Sequence, residues 1–203
     1  MRAVLEARAL DCERGGRKLF RALALEVRAG ELLRVAGANG VGKTSLLRIL
    51  AGLAAPAAGE VRWKGKPVGE LGEEYAGNLV YIGHAAALKD ELTPAENLAF
   101  ACALGGAAAK PEAVRWALGA LAVPDLPARK LSQGQKRRAA LARLLLAEAR
   151  PLWLLDEPFA ALDAGAAAYI EELIGRHARA GGSLIYTTHQ PSALDSQGRV
   201  LNL

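Results

Sequence analysis

Between Gly37 and Thr44 the sequence reads GANGVGKT, which fits the pattern GxxxxGK[ST]. These residue types suit one task, the holding of a polyphosphate. Glycines let the backbone curl so that its N–H groups point inward at an anion, and a helix that follows adds its positive N-terminal end. The candidate phosphate contacts are Gly37, Ala38, Asn39, Gly40, Val41, Gly42 and Ser45. Lys43 would reach the β- and γ-phosphates, and the Thr44 hydroxyl would bind Mg²⁺. Such a loop implies a nucleotide but does not choose among kinases, GTPases, helicases and transport ATPases.

Four further segments place polar groups where apolar runs stop. PLWLLDEPFAALD (Pro151–Asp163) ends an apolar run in two adjacent carboxylates, Asp156 and Glu157. Strand alternation predicts that they face opposite ways, so that one can face a metal ion and the other an attacking water. Pro158 stops the strand. LSQGQKRRAALARLLLAEA (Leu131–Ala149) puts Ser132 at the N-cap of a long amphipathic helix, a second anion-ready end that includes Gly134. Arg138 and Arg143 read there as a solvated face. SLIYTTHQ (Ser183–Gln190) ends an apolar strand in His189, and LVYIGHAAALKDEL (Leu79–Leu92) ends another in His84. The carboxyl end of a strand in an open α/β sheet is where ligands bind.

The elements that must position these groups follow from the same pattern. LLRVA reads as a short strand before the glycine loop, and KTSLLRILAGL as a helix after it, with leucines at helical spacing. LWLLD reads as a parallel strand buried on both faces. APAAG (Ala55–Gly59), VGELGEE (Val68–Glu74), EYAG (Glu74–Gly77) and GGS (Gly181–Ser183) read as loops. Trp63, Trp116, Trp153 and Tyr81 read as packing residues, and His177 as an exposed mid-helix residue.

The bulk properties narrow the class. At 203 residues one domain with a sizeable core is expected. Net charge is +5, concentrated in part between Arg129 and Arg150. Cys12 and Cys102 have no CxxC spacing, which argues against a zinc site and a disulfide framework and fits a reducing compartment. The first residues have scattered charge and no apolar core, so no secretory signal is expected. No stretch has the ~20 apolar residues of a membrane span.

Taken in order, GANGVGKT, LSQGQ, LLDEP, ALD and TTHQ resemble Walker A, the signature, Walker B, the D-loop and the switch histidine of the ATP-binding cassette (ABC) ATPases. The resemblance covers nearly the whole chain. It implies an α/β fold: a P-loop core sheet, mainly parallel, with an antiparallel β region near the N-terminus. Residues 1–84 and 132–203 would form the nucleotide-binding core, and residues 85–131 an inserted helical subdomain that receives a membrane partner. It implies ATP and Mg²⁺, the latter held by Thr44 and Asp156. It also implies an ATP-dependent head-to-tail homodimer, in which Ser132, Gly134 and Gln135 bind the γ-phosphate of the other subunit's ATP and Asp163 crosses the seam. Glu157 would polarise water, and His189 would hold the γ-phosphate and that water.

Two positions depart from the family pattern. The segment LDCERGGRKLF has no aromatic residue before Phe20 to stack on adenine. Arg14 falls near that place, either stacked on the base through its planar guanidinium or solvated in a turn. His84 stands where most of the family has glutamine. With YIGHAAALKDELTPAENLAF, it makes the chain similar to the ATP-binding subunits of cytochrome c maturation (haem exporter) complexes. That resemblance implies an ATPase serving haem transport or haem-chaperone release, peripheral on the cytoplasmic face of a bacterial inner membrane. Its partners would be integral-membrane subunits, with no nucleic acid. An exporter ATPase for another cargo and a soluble scaffold-associated ABC ATPase are the alternatives.

Overall fold

The computed structural model describes residues 3–106, 108–190 and 192–203. Its elements in chain order begin with β1 (Ala3–Arg14), β2 (Arg17–Arg28), β3 (Leu32–Ala36), α1 (Lys43–Leu50), β4 (Ala58–Trp63), β5 (Lys66–Pro67), α2 (Val68–Leu71), α3 (Glu73–Gly77) and β6 (Leu79–Ile82). There follow α4 (Pro94–Leu104), α5 (Pro111–Ala120), α6 (Gln133–Leu146), β7 (Leu152–Asp156), α7 (Ala164–Arg179), β8 (Ser183–Thr187) and β9 (Arg199–Asn202).

Two sheets result. One is antiparallel, in the order β2-β1-β4-β5; the other is parallel, in the order β6-β7-β8-β3-β9. The α/β class and the antiparallel N-terminal region match what the sequence implies. β7 is buried at every residue, as its unbroken apolar run requires. Its side chains alternate between two cores. Leu152 and Leu154 join Leu46, Leu47 and Leu50 of α1 and the inner residues of the antiparallel sheet. Trp153 and Leu155 join α6, α7 and the α4–α5 pair. α1 is therefore wedged between the sheets, while α6 lies between the parallel sheet and the two helices before it.

Several sequence expectations need correction. APAAG is not wholly loop: Ala58 and Gly59 open β4. VGELGEE and EYAG form the short helices α2 and α3, which Tyr75 anchors by donating its hydroxyl to the Leu50 carbonyl (2.6 Å). Trp116 is 56 % exposed on α5 rather than packed, and Tyr81 is only half-buried. His177 is the reverse case: it is buried and stacks on Trp153 at 3.7 Å, with the two rings 3° from parallel.

Candidate functional site

The carboxyl ends of β3, β6, β7 and β8 converge on one side of the parallel sheet, as ligand sites do in open α/β folds. There a cleft of about 590 Å³ is lined by Asn39, Gly40, Gly42, Lys43, Thr44 and Ser45 of the glycine loop, with His84, Asp156, Glu157 and His189. Arg14 and Leu19, from the β1–β2 hairpin, complete the rim.

The loop is shaped by Gly42. It caps α1 at φ +118°, a conformation closed to ordinary side chains, and offers no side-chain cap. A Cβ there would lie 3.1 Å from Leu19 Cβ and 3.2 Å from Phe20 Cδ1. The first N–H groups of α1 are thus left for an anion. Lys43 is buried and folds back, donating to the carbonyls of Gly37 (2.8 Å) and Ala38 (3.1 Å).

Asp156 is the hub of the strand ends. Its Oδ2 accepts from the Thr44 hydroxyl (2.7 Å), and its Oδ1 from the Thr187 hydroxyl (2.7 Å). Thr187 in turn accepts from the Glu157 N–H (2.9 Å). Glu157 does not continue the strand. It sits at φ +53°, in the left-handed region, one residue before Pro158. Simple alternation therefore does not set its direction: the backbone turn does, and both carboxylates open on the same cleft. The Glu157 carboxylate accepts from the His189 N–H (3.2 Å), and His189 Nε2 lies 3.5 Å from its Oε1. The strands stop short of both histidines, β6 at Ile82 and β8 at Thr187. His84 and His189 thus sit on exposed connections rather than in strands.

Ser132, Gly134 and Gln135 do not line this cleft. They begin α6, where Ser132 and Gln135 form a reciprocal capping box: the Ser132 hydroxyl accepts from the Gln135 N–H, and the Gln135 amide oxygen from the Ser132 N–H. Gly134 presses on the D-loop of its own chain. A Cβ there would fall 2.6 Å from the Ala161 carbonyl oxygen.

The cations after Gln135 are used internally. Lys136 pairs with Asp90 (2.9 Å), and Arg138 lies 3.9 Å from Asp163. Arg150 donates to the carbonyls of Ala76, Leu79 and Gly105. Arg143 is not on a solvated face. It lines a second groove of about 530 Å³ with Arg48, Leu53, Tyr81, His84 and Leu98. Burial and then the Arg150 charge lower its hold on its proton. Burial, followed by the Asp156 charge, raises the Tyr81 phenol above its usual range.

Two residues in the site escaped the sequence reading. Thr187 was hidden inside a strand. Arg137, 4 % exposed, lay hidden in the run Lys136–Arg138. A signal existed: Arg137, Leu141, Leu144 and Leu145 share helical spacing, which puts a cation on the buried stripe of α6.

The ABC transporter family profile matches residues 20–160. The cytochrome c biogenesis ATP-binding export protein CcmA of Aromatoleum aromaticum is 52 % identical over 203 residues, covering 98 % of this chain and 95 % of its own. Its namesake in Methylococcus capsulatus is 50 % identical over 206 residues, covering 99 % and 98 %. Among solved structures, an ATP-binding subunit of an ABC transporter superposes with a TM-score of 0.84 at 24 % identity, covering 98 % of this chain and 85 % of that one. A dimeric cassette in a post-hydrolysis state with ADP and Pi gives 0.81 at 22 % identity, covering 92 % and 88 %. The chain belongs to the ABC transporter ATPases and, within them, to the family of cytochrome c biogenesis ATP-binding export proteins.

Proposed function

We propose that this ABC ATPase is the ATP-hydrolysing subunit of a membrane complex for c-type cytochrome biogenesis, serving haem export or haem-chaperone release. One observation carries the chemistry: Lys43, Thr44, Asp156, Glu157 and His189 face a single cleft at the ends of parallel strands. In this reading Lys43 exchanges the Gly37 and Ala38 carbonyls for phosphate oxygens. The loop from Gly37 to Ser45 holds the rest of the triphosphate. The Thr44 hydroxyl and the Asp156 carboxylate, already 2.7 Å apart, are hard oxygen ligands that fit Mg²⁺, which neutralises phosphate charge when bound. Glu157 orients and polarises the attacking water, and His189 steadies both Glu157 and the γ-phosphate. Little more is needed, because phosphoryl transfer rests on positioning and charge stabilisation. Arg14, exposed on the rim, is placed to stack on the base.

Residues 1–84 and 132–203 act as the nucleotide-binding core and residues 85–131 as the helical subdomain. In a head-to-tail homodimer, Ser132, Gly134 and Gln135 complete the other subunit's ATP site. Among the described residues no helix is long and apolar enough to cross a membrane. Membrane attachment therefore runs through partner subunits, with this chain peripheral on the cytoplasmic face of the inner membrane. Support comes from apolar side chains left uncovered on the subdomain: Phe100 and Leu104 of α4 and Trp116 of α5 are 45 %, 75 % and 56 % exposed. His84 lines both the cleft and the second groove, a position that suits it to couple the two.

The test is a native pull-down from detergent-solubilised membranes, with Glu157→Gln trapping the ATP-bound form and both proteins and haem read by mass spectrometry. Recovery of small integral-membrane subunits with cytochrome c assembly factors is expected. Soluble partners alone would overturn the transporter reading and leave the ATPase intact. Membrane subunits of another exporter would overturn the cargo.

A further inference from the structure

Arg137 is a buried cation without a carboxylate partner within ion-pair distance among the described residues. Its guanidinium is satisfied by backbone carbonyls instead. Nη2 donates to Asp156 (2.7 Å) and Glu157 (2.8 Å), Nη1 to Gly83 (2.7 Å) and, more weakly, to His84 (3.4 Å), and Nε approaches Pro158 (3.4 Å). The rigid five-donor fork of arginine can make such a set; an ammonium cannot. Burial lowers the guanidinium's hold on its proton, while the charges of Asp156 and Glu157 oppose that shift.

These acceptors lie where two strands part. The β6–β7 ladder ends at the pair Ile82–Leu155, and beyond it His84 on one side and Asp156 and Glu157 on the other line the nucleotide cleft. Glu157 enters it in a left-handed conformation, which is unfavourable for a non-glycine residue and persists only where its surroundings enforce it. Its backbone is held from both ends, the N–H by Thr187 and the carbonyl by Arg137. Arg137 also lies in the first turns of α6, directly after the Ser132–Gln135 capping box. One side chain thus joins the hydrolytic turn, the His84 segment and the helix end offered to a second nucleotide.

We propose that Arg137 is a positioning residue for hydrolysis, which sets the Glu157 turn against the Gly83–His84 segment and ties both to α6. The inference rests on Glu157 acting in ATP hydrolysis, and its test separates the two.

The experiment compares Arg137→Met, Arg137→Lys, Glu157→Gln and Arg137→Met/Glu157→Gln in the full chain, purified from solubilised membranes with its accompanying subunits. Steady-state kcat and KM for ATP, ADP affinity and thermal melting are measured. Arg137→Met should lower kcat by ~10²-fold, the scale of an ångström of misplacement, with KM and ADP affinity within ~3-fold. Arg137→Lys should recover part of that loss. In the Glu157→Gln background, Arg137→Met should add less than ~3-fold, because both changes remove one action. Parental kcat in Arg137→Met would overturn the proposal. So would a loss that multiplies in full with Glu157→Gln, or joint loss of melting and ADP binding in both Arg137 variants, which marks a purely structural role. Parental turnover in Glu157→Gln alone would overturn the prior assignment of Glu157, whatever the Arg137 variants do.

Discussion

Two helix N-termini in this molecule have residue types suited to phosphate, and they are finished differently. α1 has a glycine cap at φ +118° with no side-chain acceptor, so its first N–H groups have only an anion to meet. α6 begins with a closed capping box, in which Ser132 and Gln135 satisfy each other. An uncapped, buried helix end is unfavourable on its own, whereas a capped one is stable by about 1 kcal/mol per cap. The α1 end is therefore built to take nucleotide in the single chain. The α6 end is content without one. In the proposed head-to-tail dimer its remaining N–H groups, from Gln133 and Gly134, would meet the other subunit's phosphate. On that proposal the difference would separate binding, by one chain, from turnover, by two.

The sharpest test of that separation leaves both helix ends intact. Glu157→Gln should cost ~10²–10⁴ in turnover, as loss of a general base does, while ATP binding by the chain survives. Parental hydrolysis in this variant, followed by phosphate release, would break the assignment.

Next in size is Gly42→Ala, aimed at α1. The added methyl meets Leu19 and Phe20 at 3.1–3.2 Å, and the left-handed backbone is strained. Equilibrium titration with a fluorescent ADP analogue should show affinity reduced ~10–10²-fold, since a cradle shifted by a few tenths of an ångström loses several aligned N–H groups together. Unchanged affinity would mean that α1 is no more prepared for anion than α6.

Ser132→Ala addresses the other end. It removes one cap and should lower stability by about 1 kcal/mol. Single-chain nucleotide binding should not change, while cooperative turnover should fall ~10-fold, the worth of one charge-assisted hydrogen bond to phosphate. Gly134→Ala should act in the same direction, because its methyl would strike the Ala161 carbonyl and move the start of α6. Nucleotide titration and ATPase assays on the same samples read both halves. Weakened single-chain binding in Ser132→Ala would erase the contrast between the two ends.

The glycine loop, the carboxylate pair and the capping serine were legible because each is a local pattern, with spacing and residue type together defining the backbone. What was illegible depends on atoms far apart in sequence. Glu157 looked like the next residue of a strand; Thr187 at its N–H and Arg137 at its carbonyl hold it in the turn instead. Arg143 looked solvated because only the packing of α4 on α6 decides which of its flanks is covered. His177 looked exposed although Ile170, Leu173, Ile174 and His177 form one buried stripe of α7. Spacing along the helix, rather than the polarity of imidazole, decides its burial.

His177 also supplies the smallest and most selective prediction, because it lies under the sheet that serves both helix ends without touching either. Its ring stacks on Trp153 of β7, and its buried Nε2 has no hydrogen-bond partner among the described residues. Burial holds its pKa below the ordinary 6.5. The unfolded chain therefore binds more protons than the native chain once pH falls below about 6.5, and stability rises with pH through that window. The contribution is complete above pH ~6.5 and is progressively lost on acidification toward the depressed native value, by at most ~1.4 kcal/mol per pH unit. His177→Phe keeps a flat ring against Trp153 and removes the titration. Its melting temperature should fall less between pH 7.5 and 5.5 than that of the parent. Nucleotide affinity at fixed pH should stay the same, since the ring is remote from the cleft. Equal acid sensitivity in the two proteins would clear His177 and shift attention to the carboxylates. Altered nucleotide affinity would mean that the α7 face of the sheet reaches the α1 cradle through β7, and that the two helix ends are less independent than their caps imply.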